Sequence, residues 1–141
     1  FIMKSFSFSV LIILIVAFSN CSKEKTDILN NTWKVEKIQS AGDLVWLSPQ
    51  TNKSYFLSFK NRKVYNLKMD CNNCSGQIKF SGKNSLKFGG FVCTLMACGD
   101  TTKAFDYKLP QLILGVNSYQ INGTELSLEG EGGVIILSKQ H

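Results

Sequence analysis

The chain has 141 residues, of which 44% are apolar, 11% aromatic and only 18% charged, with a formal net charge of +6. That length suits one domain and hardly two, and the apolar content excludes global disorder. The only histidine is the last residue, His141, which argues against a histidine triad, a His-rich zinc site or a haem pocket.

Met3 reads as the start, with Phe1 and Ile2 as upstream read-through, and Met3-Lys4-Ser5 supplies a short basic region. Residues 6–18 form an apolar run broken only by Ser7 and Ser9. The run is short for a membrane span, which needs about 20 apolar residues, and fits the apolar stretch of a secretory signal, about 7–15 residues. Phe18-Ser19-Asn20-Cys21 resembles the lipobox of bacterial lipoproteins, with Phe18 and Asn20 replacing the usual smaller residues. The resemblance implies a signal peptide over residues 1–20 and a lipid on Cys21. Residues 21–28 then carry the lipidated cysteine and a short polar tether. By analogy with the lipoproteins of enteric bacteria, Ser22 rather than Asp after the cysteine implies sorting to the outer membrane. The expected address is the bacterial cell envelope, with the membrane reached through Cys21. Lys53, Lys60, Arg62, Lys63 and Lys68 concentrate around one hairpin. They suit contact with anionic lipid head groups, but a solvated hairpin with lysines guarding strand edges is the simpler reading. Export argues against a nucleic-acid partner.

From Trp33 the body reads as a β meander. Trp33 and Val35 alternate with Lys34 and Glu36 at the strand period, and Ile38 breaks the phase, which predicts a bulge or bend. Residues 41–53 hold Gly42, Pro49 and Asn52 and read as an irregular excursion, with Trp46 and Leu47 folding back as a plug or short strand. Tyr55, Leu57 and Phe59 make one face of the next strand. Asn61-Arg62 is a tight turn with Asn at positive φ, and Tyr65, Leu67 and Met69 make the matching face. Gly76, Ile78 and Phe80 lie opposite Gln77 and Lys79, Ser81-Gly82-Lys83-Asn84 turns, Leu86 and Phe88 resume the apolar face, and Gly89-Gly90 permits a kink. After Cys98 the period changes. Asp100 is placed to cap a helix, and Ala104, Phe105, Lys108 and Leu109, then Leu112, Ile113 and Val116, fall near helical spacing. Pro110 predicts two short turns or a kink. Tyr119 and Ile121 alternate before Asn122-Gly123, a two-residue hairpin signal, and Leu126 and Leu128 follow it. After a glycine-rich turn, residues 134–137 read as a strand buried on both sides. The expected fold is mainly β: a small antiparallel barrel of about seven or eight strands, closed or nearly so, with one short helical crossover.

Besides Cys21, four cysteines remain, Cys71, Cys74, Cys93 and Cys98, an even number suited to an oxidising compartment. With Phe80 opposite Ser85, opposed residue numbers sum to about 165. Cys74 then faces position 91, close to Cys93, while Cys71 lies toward Cys98. Nested Cys74–Cys93 and Cys71–Cys98 bridges are favoured, with Cys71–Cys93 and Cys74–Cys98 as the alternative. Cys71-Asn72-Asn73-Cys74 also has the spacing of redox and metal sites, and all four cysteines approach a zinc-ribbon layout. That layout leaves a zinc or copper sensor as an alternative. Export and the flanking strands favour disulfides, so neither a metal nor a cofactor is expected.

Cys71-Asn72-Asn73-Cys74-Ser75-Gly76, Leu86-Lys87-Phe88-Gly89 and Cys93-Thr94-Leu95-Met96-Ala97-Cys98, with Asn31-Thr32-Trp33 before them and Tyr119-Gln120-Ile121 and Leu126-Ser127-Leu128 after, resemble the META domain family of HslJ-like bacterial lipoproteins. Asp70 stands where the family usually has Gly, and Leu95 where Arg is common. The resemblance implies a lipocalin-like barrel over residues 29–141 and an association with envelope stress and antibiotic tolerance. The expected function is a non-catalytic envelope module, monomeric as a domain, with a protein partner open. The alternative is a small-ligand barrel with Tyr55, Phe59, Tyr65, Phe80 and Phe88 lining a cavity, although the same rings serve equally as core. Asp70 and Asp100 are the one carboxylate pair that disulfides could bring together, and Asp100 serves more simply as a helix cap.

Overall fold

A computed structural model describes residues 27–97 and 103–140. The expected signal peptide, Cys21, Cys98, Asp100 and His141 lie outside the described residues. Eight strands form one closed antiparallel barrel in chain order, with the last paired to the first. They are β1 (Trp33–Ser40), β2 (Phe56–Phe59), β3 (Val64–Lys68), β4 (Asn73–Ser81), β5 (Ser85–Cys93), β6 (Val116–Asn122), β7 (Glu125–Gly130) and β8 (Gly133–Lys139). A helix, α1 (Lys103–Gly115), lies between β5 and β6.

The predicted break of phase in β1 is a bulge. The register against β8 shifts between Val35 and Lys37, so Trp33, Val35 and Ile38 all reach the core with no exposure. The Trp33 indole N–H donates to the Ile28 carbonyl at 3.0 Å, which satisfies a buried donor. Leu57, Phe59, Tyr65, Leu67, Ile78, Leu86 and Phe88 point inward from β2 to β5, and Tyr119, Leu126, Leu128, Ile135 and Leu137 from β6 to β8.

Several local expectations are corrected. Residues 134–137 are buried on one face only: Ile135 and Leu137 are buried while Val134 and Ile136 are half-exposed, because the strand alternates between the inside and the outside of the barrel wall. Asn61 does not take positive φ. Its side-chain carbonyl instead accepts the amides of Lys63 (2.8 Å) and Val64 (3.0 Å), which fixes the β2–β3 turn. The β6–β7 hairpin turns one residue later than expected. Asn122 pairs with Glu125, and Gly123 supplies the positive φ (61°) at the first loop position. Trp46 and Leu47 form no plug. Leu47 makes a lone bridge to Ile38, and Trp46 lies under the Lys37 ammonium at 4.6 Å.

Pro110 does not split the helix, which runs unbroken through it. A proline inside a helix costs about 3 kcal/mol or more. Phe105, Leu109, Leu112 and Ile113 are all buried on the barrel side, and each contributes about 1.5–3 kcal/mol, so burial wins. Ala104, expected on this face, is exposed, and Lys108 reaches outward to Asp43 at 3.0 Å.

Up-and-down connectivity sorts the loops to two ends. The turn end holds the approach to β1, the turns at residues 60–63, 82–84 and 123–124, and the C-terminal end of β8. The helix end holds the 41–55 excursion, the corner at residues 69–72, the stretch after Cys93, the helix, and the turn at residues 131–132.

Candidate functional site

The helix end carries Cys71, Cys74 and Cys93. Cys74 and Cys93 are directly opposed across β4 and β5 and joined by a disulfide. This is the favoured pairing, and it excludes Cys71–Cys93 with Cys74–Cys98. The expected register placed Cys74 against position 91. The actual sum of opposed numbers is 166 at the turn, where Ser81 faces Ser85, and becomes 167 beyond an irregularity between Gly76 and Ile78. Cys71 is disulfide-bonded too. Bonded sulfurs offer no thiolate, so the four-cysteine metal or sensor reading requires prior reduction.

Asn72, inside the CxxC, ties this corner to the irregular segment leaving β5. Its side-chain carbonyl accepts the Met96 amide at 2.8 Å and the Thr94 hydroxyl at 3.2 Å, and its amide donates to the Met96 carbonyl at 3.3 Å. The Asn73 amide donates to the Thr94 hydroxyl at 2.9 Å. Asp70 receives the Lys53 ammonium at 2.5 Å, so it is engaged in an ion pair. The fixed corner projects Val92, Leu95 and Met96 into solvent, with Leu95 98% exposed.

The helix end exposes further apolar side chains. Leu44, Val45 and Trp46 on the excursion and Tyr107 and Leu114 on α1 are exposed. Ile38, Leu44, Val45 and Leu47 line a groove of about 280 Å³ whose rim holds Asp43 and Lys108. Hydrogen bonds from Lys108 and from Ser40, with the Lys108 charge, hold the Asp43 carboxyl below its ordinary range.

The five aromatic residues expected to line a cavity pack against neighbouring rings. Tyr65 meets Phe88 edge-on with centroids 4.9 Å apart, Phe59 lies 6.2 Å from Phe80 and 6.5 Å from Phe88, and Tyr55 packs on Phe105 of α1 at 4.7 Å. Phe80 is half-buried and also approaches Tyr119. The Tyr65 hydroxyl donates to the Gly89 carbonyl at 3.2 Å, and burial pushes its pKa up to about 12. The basic cluster divides. Lys60, Arg62 and Lys63 stay at the turn end, while Lys53 and Lys68 belong to the helix end. Sequence reasoning passed over Asn72, whose signal was an amide inside a CxxC, and Lys79, whose outward position was noted without its neighbours.

The META domain family model matches residues 26–141. The chain belongs to this family. The META barrel is also similar in fold to the NMR structure of a protein from Burkholderia xenovorans, with a TM-score of 0.67 at 14% identity over 82% of this chain and 85% of that one. A search of curated proteins finds no match. The family match spans every strand of the barrel together with α1 and both cysteine segments, so the disulfide corner is part of the META domain itself.

Proposed function

We propose that this META domain is a non-catalytic module of the bacterial cell envelope, held at the outer membrane by a lipid on Cys21 and presenting its helix end to a protein partner. One observation carries the reading. Every large apolar side chain exposed among the described residues (Leu44, Val45, Trp46, Val92, Leu95, Met96, Tyr107 and Leu114) sits at the helix end, while the chain enters from its N-terminal segment at the turn end. Exposed apolar groups collected on one face mark interaction sites. A tether at the opposite end leaves that face turned away from the membrane. The Asn72 network and the Cys74–Cys93 bridge hold the corner bearing Val92, Leu95 and Met96 in one shape before binding, which lowers the ordering cost.

The test is complementation of a deletion strain challenged with drug, detergent and heat. Wild-type protein restores tolerance, and the V92D/L95D/M96D variant, folded and at normal abundance, does not. Full rescue by that variant overturns the docking role. Full rescue by Cys21→Ser overturns the need for the lipid.

A further inference from the structure

The turn end carries a feature that partner docking at the other end does not use. A groove of about 280 Å³ at the barrel rim is lined by Leu29, Arg62, Lys63, Ile78, Lys79 and Phe80. Among the described residues, three cations and no carboxylate line it. Lys83 stands in the adjoining turn, and Lys79 is paired directly across the sheet with Lys87, both pointing outward. Among the described residues the ion pairs are Lys34–Glu36, Lys53–Asp70, Lys108–Asp43 and Lys139–Asp27, so none of these five cations is neutralised. Like charges directly opposed on a sheet are destabilising. Edge protection does not account for Lys79, because β4 is bonded on both sides, to β3 and to β5. The turn bearing Arg62 and Lys63 is held by Asn61, so both side chains leave a fixed backbone.

We propose that this groove binds the phosphate head group of an anionic membrane lipid. Arg62, Lys63 and Lys79 would share the phosphate oxygens at the barrel rim, where the half-buried Leu29 and Phe80 suit the glycerol. Leu29 belongs to the segment that leads into β1, so the groove lies beside Asp27, where the described chain begins. The choice of lipid over a free phosphate rests on the proposed tether: a lipid on Cys21 brings this end, and not the helix end, against the bilayer.

The test uses the full chain with vesicles of phosphatidylglycerol or of phosphatidylcholine. It measures flotation and, by mass spectrometry, the acetylation rate of each lysine. The expected result is flotation with both vesicles, and slowing of Lys63 and Lys79 acetylation severalfold with phosphatidylglycerol only. Lys53 and Lys68 at the helix end serve as unaffected controls. Each basic residue near an anionic surface is worth roughly fivefold in partitioning, so neutralising all three in R62Q/K63Q/K79Q should lose about a hundredfold in the preference for phosphatidylglycerol. Flotation with both vesicles at equal acetylation rates overturns the groove and leaves the tether standing. Flotation with phosphatidylglycerol alone, lost in the triple variant, sustains the groove and removes the tether. Flotation with neither overturns both. Glycerol phosphate in solution protecting the two lysines as well as vesicles do would replace the membrane lipid with a soluble phosphate and overturn the proposal.

Discussion

Gly133 shows how closely the barrel approaches itself where β8 begins. Its φ of 141° is disfavoured for any side chain, and a Cβ built there would lie 2.0 Å from the Gln39 carbonyl on β1. Gly90 has open space around its Cβ position and no positive φ. Gly133→Ala should therefore lose more than about 3 kcal/mol, since backbone on both sides must move, whereas Gly90→Ala should be neutral or stabilising by about 0.4–1 kcal/mol. Urea titration of the two variants checks both. Tyr65 supplies a pH test. Its phenol titrates at about 12 in the folded chain, against an ordinary 10.0. Below pH 10 the phenol is protonated folded and unfolded, so its contribution is intact. Between 10 and 12 only the unfolded chain loses the proton, so stability falls as pH rises. Tyr65→Phe should remove that part of the slope and cost about 1 kcal/mol at neutral pH through the lost bond to Gly89. Unfolding curves at pH 8 to 12 would show it, and an unchanged slope in the variant would count against the assignment.

At the scale of elements, the β4–β5 hairpin and α1 show what was legible in the sequence. Inward positions such as Ile78, Leu86 and Phe88 follow from alternation alone, and the expected pairing of Cys74 with Cys93 follows from counting back from the turn. The count was off by one at the turn and by another at the irregularity near Gly76, because local turn geometry and bulges leave no clear mark on periodicity. Pro110 was over-weighted for the opposite reason. Its cost is local and visible, while the burial of Phe105 and Leu109 that outweighs it depends on a barrel formed elsewhere. The apolar helix end was not legible either. Leu44, Leu95 and Tyr107 are far apart in sequence, and only the up-and-down topology gathers them. The hairpin also yields a stability prediction. The Cys74–Cys93 bridge spans 19 positions, so the C74A/C93A variant should lose about 3 kcal/mol, read as a lower denaturant midpoint. It should keep the barrel, since the β4–β5 ladder runs on from Ser75 to Ser85 without the bridge.

For the whole molecule, the decisive contact is the one that joins the ends of the chain. β8 pairs with β1 from Gly133 to Lys139 and with β7 from Gly133 to Ser138, so it closes the barrel from both sides. Its own inward side chains, Ile135 and Leu137, contribute about 1.5–3 kcal/mol each. Removing the strand also uncovers Val35 and Ile38 on one flank and Leu126 and Leu128 on the other, and it leaves two unpaired edges. That loss rivals the 5–15 kcal/mol (roughly) by which a domain of this size is stable. A chain ending before Gly133 should therefore show no cooperative unfolding transition. The two tryptophans report it: Trp33 is fully buried beside the closing seam and Trp46 is 38% exposed on the excursion. Emission of the intact protein should contain a buried component that is absent from the truncated chain and absent from the intact chain in denaturant. A Trp46→Phe variant isolates it. A cut in the turn at residues 82–84 should behave differently, because the β4–β5 ladder and the disulfide between Cys74 and Cys93 still hold the two pieces together. A truncated chain that retained sigmoidal unfolding and buried Trp33 emission would mean that β1 to β7 suffice, and that closure by β8 shapes the barrel without being required for it.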